Sequence, residues 1–312
     1  MKISRVASAI LLYAGALSAA VPAHAADCAL IASFDQAIAA RNIDAAKAIE
    51  AKIVTDGTCG PYGLTARLRR ASLQVAMAMA LAGRPSEGAQ RERLLIDADE
   101  LDVLWTAAIS LGDLRIAQRR FADAALLFDR AIEIIKNPSK TPTGPGDQVI
   151  LAVIEKAAQA KILAANEEGG RARYVGTVKD FRDGTIGGLF SNDVRGVKPK
   201  RVPLPINFET ATDRPTSIGL QAQAELLEAI KEQRPQEILI VGHTDERGDK
   251  AFNDRLSLAR AQAIAKFLSS NGVTAQIKTL GRGFGEPIKD NTTGLTREDI
   301  WALNRRVEWR RP

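Results

Sequence analysis

EILIVGHTDERGDKAFNDRLSLARA, residues 237–261, decides how this chain is read. Ile238 to Val241 form a short apolar run of the strand type. After a polar loop, Asn253 has the chemistry of an N-cap for a helix reaching Ser270, with Leu256, Ala259, Ala263, Ile264 and Phe267 predicted on its buried face. Asn271-Gly272 is a helix stop. Asp245 therefore falls at a strand end and Arg260 fifteen residues later, inside a helix. The expectation is that one carboxylate and one guanidinium face the same solvent-exposed spot. A fixed anion beside a fixed cation suits a zwitterion, because the carboxylate takes an ammonium and the guanidinium takes a carboxylate.

Working outward, Ala275 to Leu280 and Arg306 to Arg310 read as later strands, and Asn291 to Leu303 as a long loop packed down by Trp301. Upstream, VPLPINF (202–208) reads as a strand whose prolines place it near a strand start or on an edge. Pro215 is predicted in the first turn of a helix capped by Asp213 and ending near Gln233, with Leu220, Ala224, Leu227 and Ile230 along one face. These elements make an α+β layer, helices against a four-stranded sheet.

Further upstream the pattern changes. Residues 167–201 scatter glycines among charges and lose apolar periodicity, which reads as a linker. Residues 26–166 form a helical domain, with helices near 28–40, 43–54, 64–82, 86–99, 101–118, 121–137 and 147–166. Leu111 and Gly112, followed by Phe121, Ala124, Phe128, Ala131 and Pro138, resemble one tetratricopeptide repeat, where small residues let paired helices approach. A generic helical bundle is the other reading. The fold class is mixed: an all-α helical-repeat domain, then the α+β domain.

Lys2 and Arg5 precede an apolar stretch from Ala9 to Val21, and Ala23-His24-Ala25 suits a signal peptidase, so 1–25 reads as a cleavable export signal. Export into an oxidising compartment favours a Cys28–Cys59 bridge, these being the only two cysteines. Losing Lys2 and Arg5 takes the formal charge from +6 to +4. That mild charge, with no basic runs interleaved with aromatics, disfavours nucleic acid as a partner. No metal or cofactor is expected, with two cysteines and one histidine, His243, after cleavage. His243 reads as a strand-end packing residue rather than a base.

GHTD at 242–245, Gly248, Asn253, Leu256-Ser257, Arg260-Ala261, Gly281-x-Gly283, Pro287 and NRRVE at 304–308 together resemble the OmpA-like peptidoglycan-binding domain over residues 202–312, about a third of the chain. The resemblance implies a ligand, the diaminopimelate of the peptidoglycan stem peptide, held by Asp245 and Arg260 with Asn253 and Arg305 lining the pocket. Asn253 acts as helix cap alone or as ligand contact, and Arg306 reads as the structural arginine of its pair. Two positions depart from the family pattern. A ligand-contacting asparagine is replaced by Ala211, leaving the contact missing or supplied by Thr210 or Thr212. Arg247 stands where a small or polar residue is usual, as a second cation or pointing to water. The implied protein is a non-enzymatic periplasmic one, associated with the cell wall or outer membrane, whose helical domain engages an unidentified envelope protein. The alternatives are a wall-active enzyme, and a helical scaffold whose OmpA-like part has lost its ligand.

Overall fold

The computed structural model describes residues 28–167, 172–173, 175–176, 193–289, 292 and 294–311. The expected export signal, most of the expected linker, and Asn291 lie outside them. Among the described residues there are ten α-helices and four strands, seven helices preceding the first strand and three alternating with the strands from Arg201 onward. The mixed class expected from the sequence is the one observed. The described residues divide into two compact units, 28–111 with 134–149, and 112–133 with 150–311.

The first unit holds α1 (Leu30–Ala39), α2 (Ile43–Thr55), α3 (Gly63–Ala80) and α4 (Gly88–Asp99). The Asn42 side chain caps α2 by accepting from the Ala45 N–H. α1 packs on α2, and α3 on α4. Cys28 and Cys59 form a disulfide, and both lie in a buried cluster with Phe34, Ala37, Ala46, Ile53, Tyr62 and Ala66. A buried ion pair ties α3 to α2, with Arg70 Nε 2.6 Å and Nη2 3.2 Å from the Glu50 carboxylate. Such a pair is costly to break singly, because the remaining charge is left buried.

α5 (Trp105–Ala117), α6 (Phe121–Lys136) and α7 (Asp147–Ala165) each have residues assigned to both units. Within the second unit, a Cβ on Gly112 would lie 2.6 Å from the Phe128 ring, so glycine is what lets α5 approach α6 there. Phe121, Ala124, Phe128 and Ala131 are all buried. Lys161 of α7 is buried with its ammonium 2.8 Å from Asp129 of α6, and it also donates to the carbonyls of Val175 and Gly176.

The second unit continues with β1 (Arg201–Leu204), α8 (Ser217–Gln233), β2 (Glu237–Gly242), α9 (Lys250–Ser270), β3 (Gln276–Gly281), α10 (Arg297–Asn304) and β4 (Val307–Arg310). The sheet order is β1-β4-β2-β3. β2 and β3 are parallel, joined through α9, while β4 pairs antiparallel with both β1 and β2. β1 is an edge strand, which is where Pro203 is tolerated. α9 lies against β2 and β3. Two glycines set that approach: a Cβ on Gly242 would meet the Ser257 carbonyl at 2.0 Å, and one on Gly281 would meet α9 backbone at 2.7 Å.

Several sequence expectations are corrected here. α9 begins at Lys250, capped by Asp249, whose carboxylate accepts from the Phe252 N–H, so Asn253 is inside the helix and is not its cap. α8 begins at Ser217 with Thr216 as cap; Pro215 and Asp213 precede it. The predicted faces are also rotated. α8 buries Ala222, Leu226, Ala229 and Ile230 while Leu220 is 55% exposed, and α9 buries Asn253, Ser257, Arg260, Ala261, Ile264 and Leu268. A helix that carries polar site residues inward does not show its buried face as an apolar stripe. The first strand stops at Leu204, short of the predicted Phe208, and the last starts at Val307, leaving Arg306 outside it. The segment read as a long loop contains α10, opened by a capping box between Thr296 and Asp299.

Candidate functional site

Asp245 follows β2 directly, and the loop it opens is fixed from both sides. The Thr244 N–H donates to the Gly283 carbonyl at 2.8 Å, and the Gly283 N–H to Ser257 Oγ at 2.9 Å, so the glycine turn after β3 is stitched to α9 and to the GHTD loop. Asn253 Nδ2 donates to the Arg247 carbonyl at 2.8 Å. The Asn253 side chain therefore holds the Asp245–Asp249 loop from below.

The Asp245 carboxylate is a hub. Oδ1 accepts from the Arg247 N–H and Nε, both at 3.1 Å, and Oδ2 accepts from Arg247 Nη2 at 2.7 Å and Arg305 Nη1 at 2.9 Å. Burial alone would raise its pKa, but the hydrogen bonds from Arg247 and Arg305 outweigh it and hold the carboxyl below its ordinary value. Arg305 reaches Asp245 from the C-cap of α10 rather than from a strand.

Arg260 is brought near but is not bonded to that carboxylate. Its Nε donates to the Thr212 carbonyl at 2.9 Å, and its guanidinium lies over the Phe208 ring at 4.9 Å. Burial and then the Arg305 charge lower its pKa to about 10, opposed by Asp245 and Asp213, so it remains a cation at neutral pH. Asp245 and Arg260 are each only 5% exposed, which corrects the solvent-exposed spot expected from the sequence. The pair sits in a recess where charges act more strongly than at the surface.

The two positions that depart from the family pattern lie in different loops, Ala211 in the turn that contacts Arg260 and Arg247 in the loop after β2. Thr210 and Ala211 are exposed, and Ala211 has φ +58°, in the left-handed region. Thr212 contributes its carbonyl, already taken by Arg260. Arg247 faces inward to Asp245 and also lies over the Trp301 ring at 4.3 Å. Trp301 Nε1 donates to Glu246 at 2.6 Å, so this tryptophan fastens α10 to the loop rather than packing down a coil.

Beneath the site, buried His243, Arg306 and Glu308 form a polar network with the partly exposed Arg310 and Glu286. Arg306 Nε donates to Glu308 at 2.8 Å and its Nη2 to the Glu286 carbonyl, which is the structural role expected of the second arginine of the pair. Burial lowers the His243 pKa despite the neighbouring Glu308, so the imidazole stays neutral. Sequence reasoning missed Phe208 under Arg260, Asp213 acting on it, and Arg119. The Arg119 guanidinium, in the turn between α5 and α6, donates to both carboxylate oxygens of Asp299 at 2.7 and 3.0 Å. No local signal announces a partner 180 residues away. Arg119, Arg247, Trp301, Arg305 and Glu298 share the lining of a cavity of about 420 Å³ beside Asp245. Among the described residues there is no cluster of three or more His, Cys, Asp or Glu placed to hold a metal ion, and no helix long and apolar enough to cross a membrane.

Comparison with known proteins adds to this geometry. Residues 210–300 match the OmpA family. The chain is 33% identical over 110 residues to outer membrane protein A of Shimwellia blattae, covering 33% of this chain and 45% of that protein. It is 40% identical over 74 residues to the peptidoglycan-associated lipoprotein of Pseudomonas aeruginosa, covering 23% and 42%. The chain thus spans less than half the length of these curated relatives. Among solved structures, the peptidoglycan-associated lipoprotein from Burkholderia pseudomallei is 28% identical with a TM-score of 0.29, covering 34% of this chain and 86% of that one. The part of this chain that carries Asp245 and Arg260 is an OmpA-like domain.

Proposed function

We propose that this is a non-catalytic cell-envelope protein that docks on peptidoglycan through residues 202–312, gripping the diaminopimelate of the stem peptide. In this reading 1–25 directs export to the periplasm, 167–201 links the two parts, and 26–166 is a tetratricopeptide-like domain that engages a protein partner. The observation that carries the reading is a recessed carboxylate, Asp245, with two guanidiniums beside it, Arg260 and Arg305, inside an OmpA-like domain. Diaminopimelate carries an ammonium and a carboxylate on one carbon, and this array offers an opposite charge to each. Asn253 positions the loop on which Asp245 stands.

Purified peptidoglycan sacculi test the reading. The wild-type protein is expected to co-sediment, and Asp245→Ala and Arg260→Ala to stay in solution. Arg260→Lys should bind weakly, because it keeps the charge but loses the planar fork. Co-sedimentation that survives both alanine variants would sink the proposal, and soluble muropeptides released by the wild type would favour a wall-active enzyme. The scaffold reading, with ligand lost, draws support from Ala211 and from the occupied state of Asp245, and predicts no co-sedimentation at all.

A further inference from the structure

An ionised carboxylate has about four lone-pair positions. At Asp245 all four are taken: two by Arg247 on Oδ1, one each by Arg247 and Arg305 on Oδ2. An incoming ammonium therefore finds no open acceptor and must displace a donor. The two guanidiniums differ in freedom, since the Arg247 side chain is 55% exposed and that of Arg305 is 32% exposed. Arg247 also has somewhere to go. Its backbone stays fixed, the N–H on Asp245 and the carbonyl on Asn253, while the guanidinium already lies over Trp301. The cavity of about 420 Å³ on that side is lined by Trp301, Thr296 and Glu298, and the Glu298 and Glu246 carboxylates already act on the Arg247 charge.

Resting on the reading of the site given above, we propose that Arg247 is a built-in competitor for the ligand's ammonium. It occupies Asp245 in the free protein and swings onto the Trp301 side when a cationic group arrives, so it sets affinity and selects ligands able to displace a guanidinium.

The test is calorimetric titration of the full chain with meso-diaminopimelate. Arg247→Ala is expected to bind about tenfold tighter than wild type, the worth of one freed charge-assisted contact. Arg247→Lys, which keeps the charge but not the fork, should fall between them. Asp245→Ala should not bind. Equal or weaker binding by Arg247→Ala, with wild-type binding intact, overturns the competitor and leaves the site's reading standing. Binding that persists in Asp245→Ala, or no binding by wild type and Arg247→Ala alike, overturns the reading and the competitor with it.

Discussion

Ala211 stands at φ +58°, where an L residue other than asparagine or aspartate is strained. The turn it belongs to supplies the Thr212 carbonyl that orients Arg260, so the strain sits one residue from the site. Asparagine tolerates this backbone region, and the position is exposed, so Ala211→Asn has room. It is expected to raise the stability of the second unit by about 0.5–1 kcal/mol, read as a higher urea midpoint at unchanged slope. An unchanged or lower midpoint would show that the turn is not strained. The left-handed turn was invisible in Phe208-Glu209-Thr210-Ala211, because alanine gives no sign of a positive φ, whereas Gly272 after α9 announced its own.

At the scale of elements, α10 depends on a contact from outside its neighbourhood. Asp299 is both the N3 partner of the Thr296 capping box and the seat of the Arg119 fork. Arg119→Ala should leave the box intact, cost about 1 kcal/mol because Arg119 is half exposed, and speed amide exchange over residues 297–304. Asp299→Ala should cost about 1 kcal/mol more, since the reciprocal half of the box goes too: the Thr296 N–H and hydroxyl lose the carboxylate they donate to, while the Asp299 N–H keeps its bond to the Thr296 hydroxyl. Equal exchange in Arg119→Ala and wild type would mean that the fork does not hold α10. The sequence displayed most elements through periodicity and stops; β2 and α9 were legible from Ile238–Val241 and Asn271-Gly272. It concealed which face α9 buries, because Asn253, Ser257 and Arg260 point inward for loop and site reasons that no apolar stripe encodes. It showed α10 only as Thr296-x-x-Asp299, a box with aspartate in place of the usual glutamate. The family resemblance grouped Asp245, Arg260 and Arg305, but the occupation of Asp245 by Arg247 depends on a loop geometry that sequence does not specify.

At the scale of the molecule, the second unit concentrates depressed carboxyl groups, with buried Asp129 the exception: burial raises its pKa despite Lys161, and it acts with the opposite sign. Burial opposes ionisation of Asp245, Glu286, Asp299 and Glu308, yet the hydrogen bonds and charges of their arginine and histidine partners prevail, and all four lie below their ordinary values. A folded-state pKa below the unfolded one stabilises the fold above the unfolded value of about 4 and loses that contribution as pH falls through the folded value. Buried His243, with its own pKa lowered, acts with the same sign below about pH 6.5. The melting temperature of this unit should decline slightly from pH 7 to 5 and steeply below 4, and Glu308→Gln should flatten the steep part while lowering stability at pH 7. A melting temperature that holds or rises on acidification would contradict this electrostatic account.

The sheet order has a bearing on when the domain can exist at all. Among the described residues, β4, the latest of the four strands, lies between β1 and β2 and is the only strand paired with β1. Until residues 307–310 arrive, β1 has nothing to pair with and β2 keeps an open edge. The site around Asp245 waits on the same segment, since Arg305 stands two residues ahead of that strand. Folding of this half therefore needs β4 in place, and a chain lacking it would leave an unpaired strand edge exposed to aggregation.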